Sequence, residues 1–164
     1  MRLLIVDSST EAQAVVARRI ESFNQSDVET LDLRVKLVSD KDYAERLNEA
    51  DVFVLGSGLG EKATSIARNA KALVPWIHIV MFVTNEAYSG GAFRAAHFVG
   101  VRKVLPDNAS PLDFLQELVA IHAEFRREGR TREGRVVVVT HAKGGTGATS
   151  IAAALAEVCS VYHR

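Results

Sequence analysis

The sequence predicts an α/β protein: an open, doubly wound sheet of five parallel strands, followed by the first βα unit of a second sheet. Three observations predict it. Short runs rich in β-branched residues alternate with amphipathic stretches over about the first 125 residues. The run Leu3–Val6 is apolar without interruption, as suits a strand buried on both faces of a parallel sheet. A polar stretch with two glycines, residues 126–135, then separates this alternation from a new apolar run at Val136–Val139.

Taken in order, Leu3–Val6 is the first strand. Residues 9–23 follow as a helix, with Ala12, Val15, Val16, Arg19, Ile20 and Phe23 spaced for one face. Val35–Val38 is a strand, residues 40–50 a helix and Val52–Leu55 a strand. Gly56-Ser57-Gly58-Leu59-Gly60 is a loop and Lys62–Leu73 a helix. Ile77–Val83 is the strongest strand of the set. Gly90-Gly91 opens a helix through Phe98, and Gly100 suits a left-handed helix cap. Val101–Leu105 is a short strand. Ser110-Pro111 supplies an N-cap and a first-position proline for a helix reaching Phe125. Five strands and five helices in strict alternation imply right-handed crossovers with helices on both faces. Five such units in an open sheet point to the flavodoxin-like order. The expected organisation is a domain over 1–125, a linker over 126–135 and an incomplete second domain over 136–164.

Length and composition bound the rest. A chain of 164 residues accommodates one ordinary domain plus part of another. Twenty basic residues balance twenty acidic ones, so bulk charge draws the chain toward neither nucleic acid nor membrane. The single cysteine, Cys159, excludes an internal disulfide and fits a reducing compartment. The N-terminus meets Asp7 after four apolar residues, too few for a signal-peptide core, and no apolar run is long enough to span a membrane. A cytoplasmic protein is expected.

Residues 1–125 resemble response-regulator receiver domains in element order and length. In that family an acidic pair after the first strand holds Mg²⁺, an aspartate after the third accepts phosphate and a lysine follows the fifth. A metal is needed there because charge builds on the phosphoryl oxygens during transfer. Here the first strand ends Val6-Asp7-Ser8, with one acid in place of two, and Gly56 falls where the acceptor should stand. Thr84 occupies the position of the switch hydroxyl. The fifth strand runs Lys103-Val104-Leu105-Pro106-Asp107, with Lys103 several residues early. The remnants of the receiver site are Asp7, Ser8, Gly56 and Thr84, and phosphotransfer is not expected. No cofactor is expected in this domain either.

Two other patterns carry nothing. Gly56, Gly58 and Gly60 follow a strand, but the third glycine of a dinucleotide fingerprint would fall on Glu61. The five histidines have no metal-ligand spacing.

The sharpest motif is Val136-Val137-Val138-Val139-Thr140-His141-Ala142-Lys143-Gly144-Gly145-Thr146-Gly147-Ala148-Thr149-Ser150. A buried strand feeds a glycine-rich loop and then a helix, so that backbone N–H groups and the helix N-terminus form an anion nest. Lys143 through Ser150 are the candidate nucleotide-binding residues, with the Thr149 hydroxyl a ligand for Mg²⁺ when nucleotide is bound. One βα unit cannot bury its own apolar faces, so this segment is expected to open a longer P-loop domain. The pattern K-G-G-x-G-x-[ST] resembles the deviant Walker A loop of the MinD/ParA family, a resemblance that implies an early lysine reaching a partner's nucleotide across a dimer. Ala148 stands where most members of that family carry a second lysine. That departure, together with a receiver-like domain ahead of the loop, is similar to Flp/Tad pilus-assembly proteins of the CpaE/TadZ type.

The resemblance implies a homodimer that binds ATP and Mg²⁺ in its full length, with at most weak hydrolysis. It implies pilus or secretion proteins as partners, membrane contact through other proteins, and recruitment to the inner membrane face or a cell pole. The contact surface expected is the region Ala92–Leu105. A second reading is a MinD/ParA-like ATPase that cycles on membrane or DNA under a regulatory receiver domain. The linker carries five arginines against two glutamates with no interleaved aromatics, so it reads as a solvated hinge and nucleic-acid binding is not expected.

Overall fold

The computed structural model describes residues 1–130 and 148–162. They fall into two compact units, Met1–His122 and Ala123–Arg164. The first unit contains β1 (Arg2–Asp7), α1 (Thr10–Glu21), α2 (Gln25–Leu31), β2 (Arg34–Ser39) and α3 (Tyr43–Arg46, continued by a 3₁₀ turn at Leu47–Glu49). It goes on through β3 (Val52–Leu55), a 3₁₀ turn at Ser57–Leu59, α4 (Lys62–Leu73), β4 (His78–Val83) and α5 (Asn85–Ser89). It closes with α6 (Ala92–Phe98), β5 (Lys103–Pro106) and α7 (Pro111–Arg127), whose last turn belongs to the second unit.

All strand pairs are parallel, in the order β2-β1-β3-β4-β5. This is the doubly wound flavodoxin-like order that strict βα alternation implies. The three central strands are buried almost throughout, which is why they read as unbroken apolar runs. Alternate side chains define two layers. Leu4, Val6, Phe53, Leu55, Ile79 and Met81 pack with Tyr43, Leu47, Ala63, Ile66, Ala67 and Ala70. On the opposite face, Phe82 meets Phe114 edge-on at 5.2 Å, and Phe114 meets Phe23 at 6.1 Å. Val16 and Ile20 of α1 and Leu118 and Ile121 of α7 are buried with them.

Several elements differ from the expected ones, each for a local reason. The helix expected over residues 40–50 shrinks to Tyr43–Arg46 and its 3₁₀ turn. Ser39 Oγ donates to Asp42 at 2.7 Å, and Asp42 N–H donates to Ser39 C=O, so a turn takes the place of the first helical residues. Two short helices, α2 and α5, were not expected. Thr84 starts α5 as its N-cap, its Oγ1 accepting from Ala87 N–H at 3.3 Å. On α1 the expected apolar face is rotated: Val15 is 51% exposed, while Gln13 is buried and donates to Val38 C=O at 2.7 Å. Arg19 does lie on the covered face. Its guanidinium donates to the carbonyls of Asp107 and Ala109 and stands 5.0 Å over the Phe82 ring.

The other terminations follow the chain's own punctuation. Gly100 has φ +83°, the left-handed conformation expected of a residue just past a helix. At the start of α7, Ser110 Oγ accepts from Asp113 N–H while Asp113 Oδ2 accepts from Ser110 N–H, a reciprocal cap. α7 runs to Arg127, two residues past its expected end. In the second unit, Arg130 stacks 4.3 Å over Phe125, and α8 (Ala148–Tyr162) carries exposed side chains from Thr149 to Glu157. The expected strand Val136–Val139 and the loop residues Lys143–Gly147 lie outside the described residues. No helix among the described residues is long and apolar enough to cross a membrane.

Candidate functional site: the carboxyl end of the sheet

In a doubly wound sheet, ligands bind beyond the carboxyl ends of the strands. Asp7 and Ser8 at the end of β1, Gly56 after β3, Thr84 after β4 and Pro106-Asp107 at the end of β5 all lie at this end. Gly56 N–H donates to Val6 C=O at 2.9 Å, so residue 56 sits directly beside Asp7.

Asp7 is 2% exposed. Its Oδ1 accepts from Ser8 N–H at 2.7 Å, and the Gly58 N–H and the Ser8 hydroxyl stand near enough to the carboxylate to favour its charged form. Burial pushes the Asp7 carboxyl above its ordinary value, and these donors offset part of that rise. A Cβ built on Gly56 would stand 1.7 Å from Asp7 Oδ2 and 2.4 Å from its Cγ. One on Gly58 would stand 2.5 Å from Oδ1 and 2.7 Å from Ser8 Oγ.

The remaining positions are spoken for. The Thr84 hydroxyl caps α5. Lys103 is the first residue of β5, at the far end of that strand from Pro106. The backbone that follows, Asp107–Ala109, is held by Arg19 of α1, and Asp107 N–H donates to Val83 C=O. Among the described residues no cluster of three or more His, Cys, Asp or Glu could hold a metal ion. The structure thus brings Asp7, Ser8 and Gly56 together, while Thr84 is committed to its helix. Arg19, absent from the expected site, reaches the β5–α7 loop; a polar residue on an otherwise apolar helical face is the signal that marks it.

In the second unit, Thr149 and Ser150 stand in the first turn of α8 with exposed side chains, and Ala148 begins the helix. The loop that would complete an anion site with them is outside the described residues.

No protein-family model matches the chain, and no curated protein matches it in sequence. Solved structures match in fold. The receiver domain of AraT, a response regulator from Geobacillus stearothermophilus, superposes with a TM-score of 0.62 at 16% identity, over 77% of this chain and 96% of that one. A protein described as pilus assembly-related, from Burkholderia pseudomallei, gives 0.59 at 17% identity, over 76% and 90%. A response-regulator receiver protein from Clostridium thermocellum gives 0.57 at 14%, over 77% and 98%. At such identities the likeness speaks to architecture alone: the chain carries the receiver fold of response regulators.

Proposed function

We propose that the first unit is a receiver domain that no longer accepts phosphate and serves as a protein-contact module, coupled to a nucleotide-binding P-loop domain in a pilus-assembly or secretion protein. One observation carries the reading. The fold is that of a receiver, yet the residue at the acceptor position is a glycine whose side-chain space is filled by Asp7. Phosphoryl transfer needs an acceptor, a metal and neutralising charge on one spot, and here the first is absent and the carboxylate that would hold the second is enclosed.

Contact is favoured by the face of α5, α6 and β5. Tyr88 and Phe93 are each 40% exposed and Phe98 is 92% exposed. A shallow cleft of about 400 Å³ is lined by Tyr88 together with Lys103, Leu105, Pro106, Asp113 and Glu117. Exposed aromatics are a mark of interaction surfaces. The pilus assignment is supported by the fold of the Burkholderia protein and by the K-G-G-x-G-x-T motif at Lys143–Thr149. On this reading the motif binds ATP with Mg²⁺ on Thr149, Lys143 reaches across a homodimer, and Ala148 leaves hydrolysis slow because a phosphate-facing lysine is absent.

The test is ATP binding by calorimetry on the intact protein, wild type beside Lys143→Ala, with sedimentation of the same samples. ATP-dependent dimers that Lys143→Ala abolishes are expected. Absence of ATP binding would leave both units as scaffold. Rapid turnover stimulated by membrane or DNA would favour a cycling ATPase instead.

A further inference from the structure

Gly56 and Gly58 have no conformational reason to be glycine. Gly56 has φ −80° and ψ 159°, an extended conformation open to any residue, and Gly58 is not among the glycines with positive φ. What excludes a side chain at both is the Asp7 carboxylate, 1.7 Å from a Cβ at residue 56 and 2.5 Å from one at residue 58, joined at residue 58 by Ser8 Oγ at 2.7 Å. That carboxylate is almost fully buried, which is costly unless donors surround it. The chain supplies them from two elements: Ser8, which leads into α1, and Gly58, in the middle of the Ser57–Leu59 turn. The turn is anchored on its other side by Leu59, which is 4% exposed in the core.

We propose that Asp7 is the built-in ligand of this site: its carboxylate fills the space residue 56 would project into and pins the Ser57–Leu59 turn to β1 in one arrangement, without metal or phosphate. The acid that would bind a metal in a working receiver becomes a fixed internal anion, and the two glycines are its complement. Restoring an acceptor at residue 56 alone therefore does not restore a working site. The proposal deepens the reading of the first unit and is independent of the P-loop.

A double-mutant cycle on the full chain tests it, combining Gly56→Ala with Asp7→Ala and following urea unfolding. Gly56→Ala is expected to lower the midpoint clearly in the wild-type background and much less when Asp7→Ala has opened the space. Amide exchange at Gly58 is the second readout. In Asp7→Ala, and in the milder Asp7→Asn, it should accelerate by roughly tenfold or more while β4 amides keep their protection. Equal losses from Gly56→Ala in both backgrounds overturn the proposal, as does unchanged exchange at Gly58. Adding Mg²⁺ and beryllofluoride to the wild type separates the two claims: a spectral response there would sink the phosphate-inert reading, whereas the cycle bears on the lock alone.

Discussion

Arg102 stands just before β5 and pairs with Glu117 on α7, Nε to Oε1 at 2.5 Å, with the side chains 27% and 15% exposed. Its guanidinium also lies 3.5 Å from His78 Nδ1. Exposed ion pairs are worth about 0–1 kcal/mol, whereas removing one partner of a buried pair costs roughly 3–5 kcal/mol. At these exposures the pair falls between the two ranges. Arg102→Glu would also face Glu117 with a second carboxylate, so a loss of about 2–3 kcal/mol is expected. For a chain of this size that lowers Tm by roughly 5–10 °C. Urea unfolding of the wild type, Arg102→Glu, Glu117→Arg and the exchanged pair forms a complete cycle. The exchanged pair should recover at least half of the loss, with m unchanged. An Arg102→Glu protein as stable as wild type, or an exchanged pair no better than the sum of its parts, would refute the reasoning. Loss of self-association in Arg102→Glu would therefore be confounded by stability. Arg94 is the cleaner probe of the contact face. It is exposed, its guanidinium lies 6.0 Å from the Phe93 ring, and Arg94→Glu should leave stability within about 0.5 kcal/mol.

Three further outcomes are expected. Phe114 is fully buried between Phe82 and Phe23, so Phe114→Ala should cost about 3–5 kcal/mol in urea unfolding; a loss under about 1 kcal/mol would contradict the packing described. Burial holds the Asp7 carboxyl above its ordinary value, so the folded chain keeps that proton to higher pH than the unfolded chain. Its contribution is greatest below the unfolded value and falls as pH rises toward the folded one. The stability of wild type minus Asp7→Asn should decline across that window and then level. At Asp51, burial also pushes the carboxyl up, but the hydrogen bonds and charge of Arg2 outweigh it and hold the group below its ordinary value. That contribution has the opposite sign, present above the unfolded value and lost as pH falls, and Arg2→Ala should flatten it.

The strands were legible because burial on both faces of a parallel sheet leaves an uninterrupted apolar run, and Val52–Leu55 and Lys62–Leu73 fall at their expected boundaries. The short helices were not, because apolar periodicity does not build them. α5 has no buried residue and rests on the Thr84 cap; α2 spans seven residues and ends at buried Leu31. The exchange of Gln13 for Val15 on the covered face of α1 depends on the position of the Val38 carbonyl, a tertiary fact invisible to a helical wheel. At the site, the adjacency of Asp7 and Gly56 follows from parallel pairing of neighbouring strands, so it could be read from the element order. That the carboxylate turns into the space of residue 56 could not, because a rotamer is chosen by the donors at Ser8 and Gly58.

The central claim, a receiver fold that does not take up phosphate, is tested most directly by incubating the full chain with acetyl phosphate and Mg²⁺ and measuring its intact mass. An unchanged mass is expected, with a phosphorylatable receiver domain labelled in parallel. Uptake of one phosphoryl group, mapped to a side chain at the carboxyl end of the sheet, would contradict it.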